Sequence, residues 1–395
     1  MTDTSISRRD ILKSGSVAAG LAWLGFLDPS FAFPAQAADE ELVPFLNMPR
    51  SRPGILDWET LDSWLTPDDQ VFSVSHYGNP KVEPDEYQLE ITGLVERPKT
   101  FTLDELKALP QVDQLMTLEC AGNGVSKGFM GAIYNSRWTG TPLAPLLEEC
   151  GLKEEALEVV FIGTDRKEET LRAGTKRETT FEVPFGRSLS VEDAMRPELL
   201  LAYERNGEPL RQENGAPLRL IVPGCYGIAN VKWLKRIEVR DRRYMGRYMA
   251  RDYVTVRGEK RGDEVVFVET SVLGMNLKSI VARVTRQPAV DGMVPVKAYG
   301  AVWNDGTPID RVEVRVDDGE WQQATIDAEP YSKYCWRFFS IDLGRLSPEK
   351  HTVVSRAIDI NGRVQPTAED DEIALKRTYW EAYEQWPREI DLSEA

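Results

Sequence analysis

Histidine is nearly absent from this chain, which has only His76 and His351 among 395 residues. Zinc and copper sites usually draw on several imidazole ligands, so the composition argues against a multi-histidine metal site. No Cys-x-x-Cys-His stretch occurs, and no haem is expected in this chain. Any metal centre must therefore rely on other donors.

Cysteine is also sparse, with four residues at widely separated positions: Cys120, Cys150, Cys225 and Cys335. This spacing fits no iron–sulfur cluster and no disulfide framework. The sequence leaves open whether two of Cys150, Cys225 and Cys335 form a disulfide bond. A lone cysteine such as Cys120 is most often a small apolar core residue.

Positive charge is in deficit, because 48 basic residues face 64 acidic ones and the formal net charge is -16. This balance excludes nucleic acid as an expected partner, since binding phosphates requires a basic face. Eleven basic residues do cluster between Lys232 and Arg261. A solvated face explains most of them, but an anion site needs only a few.

Long apolar runs are missing, and the stretch Val17–Leu27 is too short to span a bilayer. It follows Ser7-Arg-Arg-Asp-Ile-Leu-Lys13 and precedes the small-residue site Ala35-Gln36-Ala37, a pattern similar to a twin-arginine signal. We therefore expect residues 1–37 to be a signal peptide for the twin-arginine translocase. The expected localisation is periplasmic, with the protein exported already folded.

The remaining pattern predicts an α+β protein. Residues 38–70 are expected to form an extended arm, and 71–262 a mixed α/β domain whose strands include 71–76 and 157–162, with 166–177 as a surface excursion. After that the strand-like segments are short and separated by Asp-Gly or Asn-Gly turns, which predicts an immunoglobulin-like β-sandwich at 263–378. A tail at 379–395 is expected to pack back onto a domain or a second subunit.

Cys120 stands where a β-like run, Gln114–Glu119, reaches a turn of small residues. Gly122 and Gly124 can adopt the positive φ that a sharp turn after a strand requires. This arrangement can present the sulfur to a ligand outside the sheet.

Several motifs in order resemble the sulfite oxidase family of molybdopterin enzymes, which includes bacterial sulfite and sulfane dehydrogenases. The resemblance covers nearly everything from about Val71 onward. It is carried by Leu118-Glu-Cys-Ala-Gly-Asn123, Trp138-Thr-Gly-Thr-Pro-Leu143, Leu201–Leu210 with Gly215–Arg219, Val222-Pro-Gly224 and Val231-Lys-Trp-Leu234. It implies a molybdopterin-binding domain at 71–262 and a dimerisation domain at 263–378, hence a homodimer.

By this resemblance Cys120 ligates molybdenum, one per chain, because a soft thiolate suits a metal already held by dithiolene sulfurs. Tyr253 matches the tyrosine that reaches the substrate pocket, and Lys376 or Arg377 falls near a C-terminal active-site arginine. The other positions implied to bind molybdopterin are His76, Asp165, Asn214, Arg219, Asn230, Val231 and Lys232. Asn214 stands where the family usually has histidine.

The chain lacks two arginines that bind the substrate anion in the family. Val74 stands at the position of one of them. Gly124 and Val125 stand where two arginines normally follow the Cys-Ala-Gly-Asn run. Each lost charge-assisted pair removes roughly 1.5–3 kcal/mol of anion binding. Either neighbours such as Lys127 or Arg137 compensate, or the substrate is less anionic than sulfite.

Three functions follow as alternatives. The first is oxidation of sulfite, or a related small sulfur oxyanion, with electrons passed to an external c-type cytochrome. The second is the same chemistry on another sulfur substrate, a sulfane sulfur or a sulfoxide. The third is a non-catalytic periplasmic partner that retains the fold.

Overall fold

The computed structural model describes residues 39–48, 54–61, 63–124, 130–327 and 332–393. The predicted signal peptide at 1–37 and the positions Val125 and Lys127 lie outside the described residues. No helix in these ranges is long and apolar enough to cross a membrane.

The first half of the chain builds two five-stranded sheets. One has the order β3-β2-β11-β6-β7, with β2 and β11 parallel and the other neighbours antiparallel. The second has the order β10-β8-β5-β4, with β9 paired to β8. Their strands are β2 Gln88–Gly93, β3 Lys99–Thr102, β4 Val112–Glu119, β5 Ile133–Pro142, β6 Glu158–Leu171, β7 Thr179–Ser190, β8 Leu200–Arg205, β9 Glu208–Pro209, β10 Arg219–Ile221 and β11 Leu234–Arg240.

The α-helices of the described residues are few and short. Thr102 caps the first with a capping box, since its side chain accepts from the Glu105 amide while Glu105 accepts from the Thr102 amide. Gly151, at φ 73°, ends the second. The helices are α1 Leu103–Lys107, α2 Leu143–Cys150, α3 Val191–Ala194, α4 Arg247–Ala250 and α5 Asp371–Ala374.

The second half forms the predicted β-sandwich. A sheet of order β1-β14-β15-β19-β18 faces one of order β17-β16-β20-β21, and a buried cluster that includes Val281, Val312, Phe339 and Val353 fills the space between them. The strands are β1 Glu41–Leu42, β14 Lys278–Arg286, β15 Val294–Trp303, β16 Ile309–Val316, β17 Gln322–Gln323, β18 Thr325–Ile326, β19 Arg337–Leu346, β20 Lys350–Asp359 and β21 Arg388–Asp391. The sandwich and the mixed sheets together confirm the predicted fold class.

The arm and the tail are built into these layers. Trp58 stacks on Trp303 with ring centroids 5.9 Å apart and lies 5.4 Å from Trp336, so the arm fills a core shared with the sandwich. In the tail, β21 pairs with β20. The domain limits at 70, 262 and 378 stay predictions.

One local prediction was wrong. Residues 71–76 form no strand despite their alternation; Ser73 Oγ donates to the Glu213 carbonyl at 2.6 Å, and the segment borders a cavity. Strand β6 continues through 166–171 paired with β7, so the predicted surface excursion is a largely exposed hairpin. A further hairpin, β12 Val254–Arg261 and β13 Glu264–Ser271, spans the predicted boundary and turns at Gly262 with φ 65°.

Candidate active site

Cys120 lies at the end of β4, on one wall of a cavity. Its amide donates to the Ala132 carbonyl at 2.9 Å, and its carbonyl accepts from the Asn123 amide at 2.8 Å. Of the two turn glycines, Gly124 adopts a positive φ, 95°, whereas Gly122 does not. Burial raises the pKa of the Cys120 thiol. The turn therefore presents a protonated, largely buried thiol to the cavity.

A buried ion pair fixes the strand end immediately before Cys120. The Glu119 carboxylate accepts from Lys278 Nζ at 2.5 Å, Asn123 Nδ2 at 2.9 Å and Trp303 Nε1 at 2.9 Å. The side chains of Glu119 and Lys278 are both fully buried. We call Glu119, Asn123, Lys278 and Trp303 the Glu119 cluster. Because Lys278 and Trp303 belong to the sandwich, it ties the second half of the molecule to the Cys120 turn.

The cavity is a partly open cleft, and the roughly 660 Å³ of space within it includes open solvent. Polar and charged side chains from several chain segments converge on it. Those of the predicted site are His76, Cys120, Asp165, Asn214, Arg219, Asn230, Lys232 and Tyr253, and Val74 also lines it. Residues as far as 177 positions apart in the chain, His76 and Tyr253, are thus brought to one cavity.

His76 and Tyr253 form one side of this cavity. His76 Nε2 and the Tyr253 hydroxyl are 3.0 Å apart, and the imidazole stacks on Tyr248 with ring centroids 4.4 Å apart. Burial and the nearby Lys232 lower the pKa of His76 to about 4. Burial raises the pKa of Tyr253. At neutral pH the pair is therefore a neutral imidazole beside a protonated phenol.

We call Asp165, Arg219 and Lys232 the cavity cluster. Asp165 Oδ1 and Arg219 Nε are buried and have no hydrogen-bond partner among the described residues. Lys232 Nζ donates to the Glu213 carbonyl at 2.8 Å and to Ser73 Oγ at 3.3 Å. The remaining guanidinium nitrogens of Arg219 donate to the carbonyls of Asn214 and Asn230, at 2.9 and 3.1 Å. Native proteins rarely leave such atoms unsatisfied, so they indicate a polar ligand.

The pKa values of the cavity cluster also indicate a polar ligand. Burial and the neighbouring Arg219 lower the pKa of Lys232 to about 7. Burial raises the pKa of Asp165 to about 6. Two cations side by side without a carboxylate bound to them form a receptor for an anionic group such as a phosphate.

Three predicted site residues do not line the cavity. Val231 is buried beside it in the core, between two residues that do line it. Lys376 Nζ donates to the carbonyls of Trp380 and Glu381, at 3.1 and 3.3 Å. Arg377 is exposed, with its guanidinium 5.2 Å from the Phe267 ring. Lys376 and Arg377 thus do not line the cavity, and their contact with substrate stays a prediction.

Two residues that the sequence interpretation passed over do approach Cys120. The Trp380 ring stacks on Tyr253 at a centroid distance of 4.0 Å, and Tyr379 packs on Trp380 at 4.1 Å. The Glu119–Lys278 pair was missed as well. A carboxylate in an otherwise apolar strand was the available signal for Glu119, whereas nothing local marked Lys278.

The described residues contain no cluster of three or more His, Cys, Asp or Glu side chains that could hold a metal. All four cysteines are free thiols. A metal at Cys120 would thus need most of its ligands from a cofactor. The orphaned polar atoms, the cationic pair and the soft sulfur together fit a molybdopterin group.

Comparison with known proteins gives two matching family descriptions. Residues 76–248 match "Oxidoreductase molybdopterin binding domain", and 269–380 match "Mo-co oxidoreductase dimerisation domain". The first range contains the cavity cluster and Cys120, and the second covers most of the sandwich.

Curated relatives include the mitochondrial sulfite oxidase of Rattus norvegicus, 31% identical over 329 residues. That alignment covers 77% of this chain and 58% of the relative, so the chain spans little more than half of that protein's length. The sulfite oxidase of Arabidopsis thaliana is 31% identical over 343 residues, covering 78% of this chain and 83% of the relative. A solved structure, the sulfane dehydrogenase SoxCD from Paracoccus pantotrophus, superposes with a TM-score of 0.72 at 27% identity, covering 90% of this chain and 88% of that one.

Proposed function

Because the chain belongs to the sulfite oxidase family of molybdopterin-dependent oxidoreductases, we propose that it oxidises a sulfur compound by oxo transfer at a molybdopterin cofactor held against Cys120. One observation carries the proposal. Cys120 faces a cavity in which buried atoms of Asp165 and Arg219 have no hydrogen-bond partner among the described residues. The bound cofactor would supply the oxo transfer and take up the two electrons.

The residues of the cavity divide the work of holding this group. Cys120 supplies the thiolate ligand to one molybdenum per chain. Arg219 and Lys232 pair with the phosphate, while the free Asp165 oxygen accepts a hydrogen bond from the pterin. The amides of Asn214 and Asn230 lie in the same lining and complete the polar contacts.

Tyr253 donates a hydrogen bond to the substrate, and His76 orients the Tyr253 hydroxyl. Since burial raises the pKa of Tyr253, its hydroxyl stays protonated and can donate a hydrogen bond to an oxygen of the substrate. The neutral His76 ring, 3.0 Å away, holds that hydroxyl in place. Tyr253 itself has a φ of 56°, an uncommon conformation for a bulky residue, which points its ring toward the cavity lining.

The setting of the reaction is proposed from the sequence. Export through the twin-arginine translocase would place the protein in the periplasm, where a c-type cytochrome is the natural external acceptor. The chain would act as a homodimer through the sandwich, in keeping with the dimerisation description of residues 269–380.

A second candidate substrate, a sulfane sulfur, is favoured by Val74. This half-exposed valine lines the cavity where the family places an arginine that binds the sulfite anion. A sulfoxide would fit the same argument. A non-catalytic partner protein is the remaining candidate, and the convergence of Cys120, His76, Lys232 and Tyr253 on one cavity speaks against it.

The test is metal analysis of protein made in cells that synthesise the cofactor. We expect about one molybdenum and one pterin per chain, and complete loss of sulfur-compound oxidation in Cys120→Ser. Cys150→Ala, at a buried thiol of α2 outside the cavity, is the matched control and should keep both metal and activity. Protein that carries no molybdenum would refute the proposal.

A further inference from the structure

Glu381 connects the Cys120 turn to the strand that follows Tyr253. Its amide donates to the carbonyl of Ala121, the residue directly after Cys120, at 2.8 Å. Its carboxylate accepts a hydrogen bond from the hydroxyl of Thr255, the second residue of β12. Because Tyr253 immediately precedes β12, one residue is bonded to both chain segments that carry the central groups of the proposed reaction.

The backbone of Glu381 is strained. Its φ of 57° falls in the left-handed region, which residues other than glycine seldom adopt, and Tyr253 shares this conformation with a φ of 56°. Such conformations cost free energy, persist only where the surroundings hold them, and cluster at functional sites. The bonds to Ala121 and Thr255 hold Glu381 on one side. On the other side, Lys376 Nζ donates to the Glu381 carbonyl at 3.3 Å.

The Glu381 carboxyl group lies mostly out of solvent. Burial raises its pKa, although the Thr255 hydroxyl and three nearby cations act to lower it. The cations are Arg187, Arg257 and Lys376. Among the described residues, Thr255 is the hydrogen-bond partner of this carboxyl group, and none of the three cations is bonded to it. We therefore expect the position of its oxygen to matter more than its charge.

The segment that Glu381 anchors also covers the Cys120 thiol. A Cβ atom built on Gly122 would be 3.8 Å from both Cys120 Sγ and Trp380 Cζ3. The Trp380 ring in turn stacks on Tyr253 at a centroid distance of 4.0 Å. A shift of this segment would therefore uncover the thiol and move the ring that supports Tyr253.

Resting on the proposed function, we infer that Glu381 is a positioning residue, which fixes the Tyr253 hydroxyl relative to the Cys120 sulfur through its bonds to Ala121 and Thr255. Glu381 does not line the cavity, so it acts through the two residues that it aligns. Misplacing reacting groups by about 1 Å can lower the rate of an enzyme roughly a hundredfold, which makes such alignment important for turnover.

The first test compares three variants of the molybdenum-loaded protein, with the better of sulfite and thiosulfate as substrate. Thr255→Val removes the hydroxyl, and Glu381→Gly removes the side chain without adding backbone strain. Glu381→Gln keeps an oxygen that can accept from Thr255. We expect kcat to fall roughly tenfold or more in the first two variants, with KM changed much less, because misalignment acts mainly on the transition state. Glu381→Gln should keep most of the wild-type kcat.

The second test uses the cofactor-free chain and does not depend on turnover. Cys120 is partly exposed and the other three cysteines are buried, so iodoacetamide should alkylate Cys120 first. Peptide mass spectrometry measures the rate. Thr255→Val and Glu381→Gly should each raise it severalfold, and Glu381→Gln should leave it near the wild-type value. The double variant Thr255→Val/Glu381→Gly should react no faster than Glu381→Gly alone, because both substitutions break the same bond.

Asp291→Gly is the matched control for the backbone effect. Asp291 also has a positive φ, 54°, but it lies in the exposed turn between β14 and β15. This variant should change neither kcat nor the alkylation rate.

Two results would overturn the inference and leave the proposed function standing. One is an equal loss of kcat in Glu381→Gln and Glu381→Gly, and the other is wild-type behaviour of Thr255→Val in both tests. Wild-type protein without molybdenum would refute the proposed function instead, and the alkylation rates would then decide by themselves whether Glu381 joins the two segments.

Discussion

Two buried polar clusters flank the Cys120 turn, and they differ in one respect. In the Glu119 cluster the carboxylate accepts three hydrogen bonds, from Lys278, Asn123 and Trp303. In the cavity cluster, Asp165 Oδ1 and Arg219 Nε have no hydrogen-bond partner in the part of the chain that the structure describes. Burial costs both clusters solvation, but only the first recovers it within the protein. The first therefore acts as structure, and the second is built for a ligand.

The largest expected effect follows from breaking the satisfied cluster. Lys278→Met leaves the Glu119 charge buried without a counter-charge, so we expect the free energy of unfolding to fall by about 3–5 kcal/mol. Urea denaturation of the cofactor-free protein measures this. The double variant Glu119→Gln/Lys278→Met should recover most of the loss.

The control for that experiment is Lys260→Met, which removes an exposed ion pair with Asp371 at 2.6 Å. Because exposed pairs contribute little, its denaturation midpoint should stay where it is. If Lys278→Met behaved like Lys260→Met, the Glu119 cluster would not be structural.

A substitution in the cavity cluster should weaken cofactor binding and leave the stability of the cofactor-free chain intact. Lys232→Met removes a charge-assisted contact to the phosphate worth about 1.5–3 kcal/mol, so we expect roughly a 10- to 150-fold loss of cofactor affinity. Metal and pterin analysis measure it.

The same variant should not destabilise the cofactor-free chain. The pKa of Lys232 falls from 10.5 in the unfolded chain to about 7 in the folded one. Between these values the unfolded chain binds more protons, so the stability of the wild type relative to Lys232→Met rises with pH. At pH 6 the variant should be at least as stable as the wild type. A marked loss of stability at pH 6 would assign Lys232 to structure instead.

The two histidines also differ in how fully the protein satisfies the hydrogen bonds of their ring nitrogens. His351 donates from Nδ1 to Asp317 at 2.8 Å and from Nε2 to the Ser347 carbonyl at 2.9 Å, whereas His76 contacts only Tyr253 through a side-chain hydrogen bond in the described structure. Burial alone would lower the pKa of His351, but these two acceptors outweigh it and raise the pKa.

Opposite pH profiles are therefore expected for the two histidine variants. His351→Gln should lower the free energy of unfolding by up to about 1 kcal/mol below pH 6.5, and the loss should fade as pH rises through the folded-state pKa. For His76, with a pKa lowered to about 4, wild-type stability relative to His76→Gln should rise between pH 4 and 6.5. If the stabilities of the two variants relative to the wild type changed with pH in the same direction, the expected difference between His351 and His76 would be refuted.

Local chemistry in the sequence anticipated much of the fold. The capping box at Thr102 and the glycine after Cys150 set the limits of α1 and α2, since both depend on residues within a few positions. The Asp-Gly and Asn-Gly turns between short strand-like segments also predicted the sandwich. Alternation misled at 71–76, because a segment becomes a strand only when a neighbouring backbone is available for pairing.

The candidate site also contains residues that the sequence could predict and residues that it could not. Cys120, His76, Asp165, Arg219, Lys232 and Tyr253 could be identified because each lies in a short motif, and the structure brings them to one cavity. Lys376 and Arg377 were assigned only because the resemblance places one of them near the family's C-terminal active-site arginine, and neither lines the cavity. Whether the assigned residues bind the cofactor stays a prediction.

The sequence by itself thus determined the family, the thiol at the end of its strand and the basic groups of the cavity, since these depend on local motifs. Only the tertiary structure decided that Lys278 from the sandwich neutralises Glu119 and that Trp380 covers Cys120. Those contacts join positions 159 and about 260 residues apart, and no local preference encodes them. They arise because the sandwich and the final segment must bury their surfaces against the first two sheets.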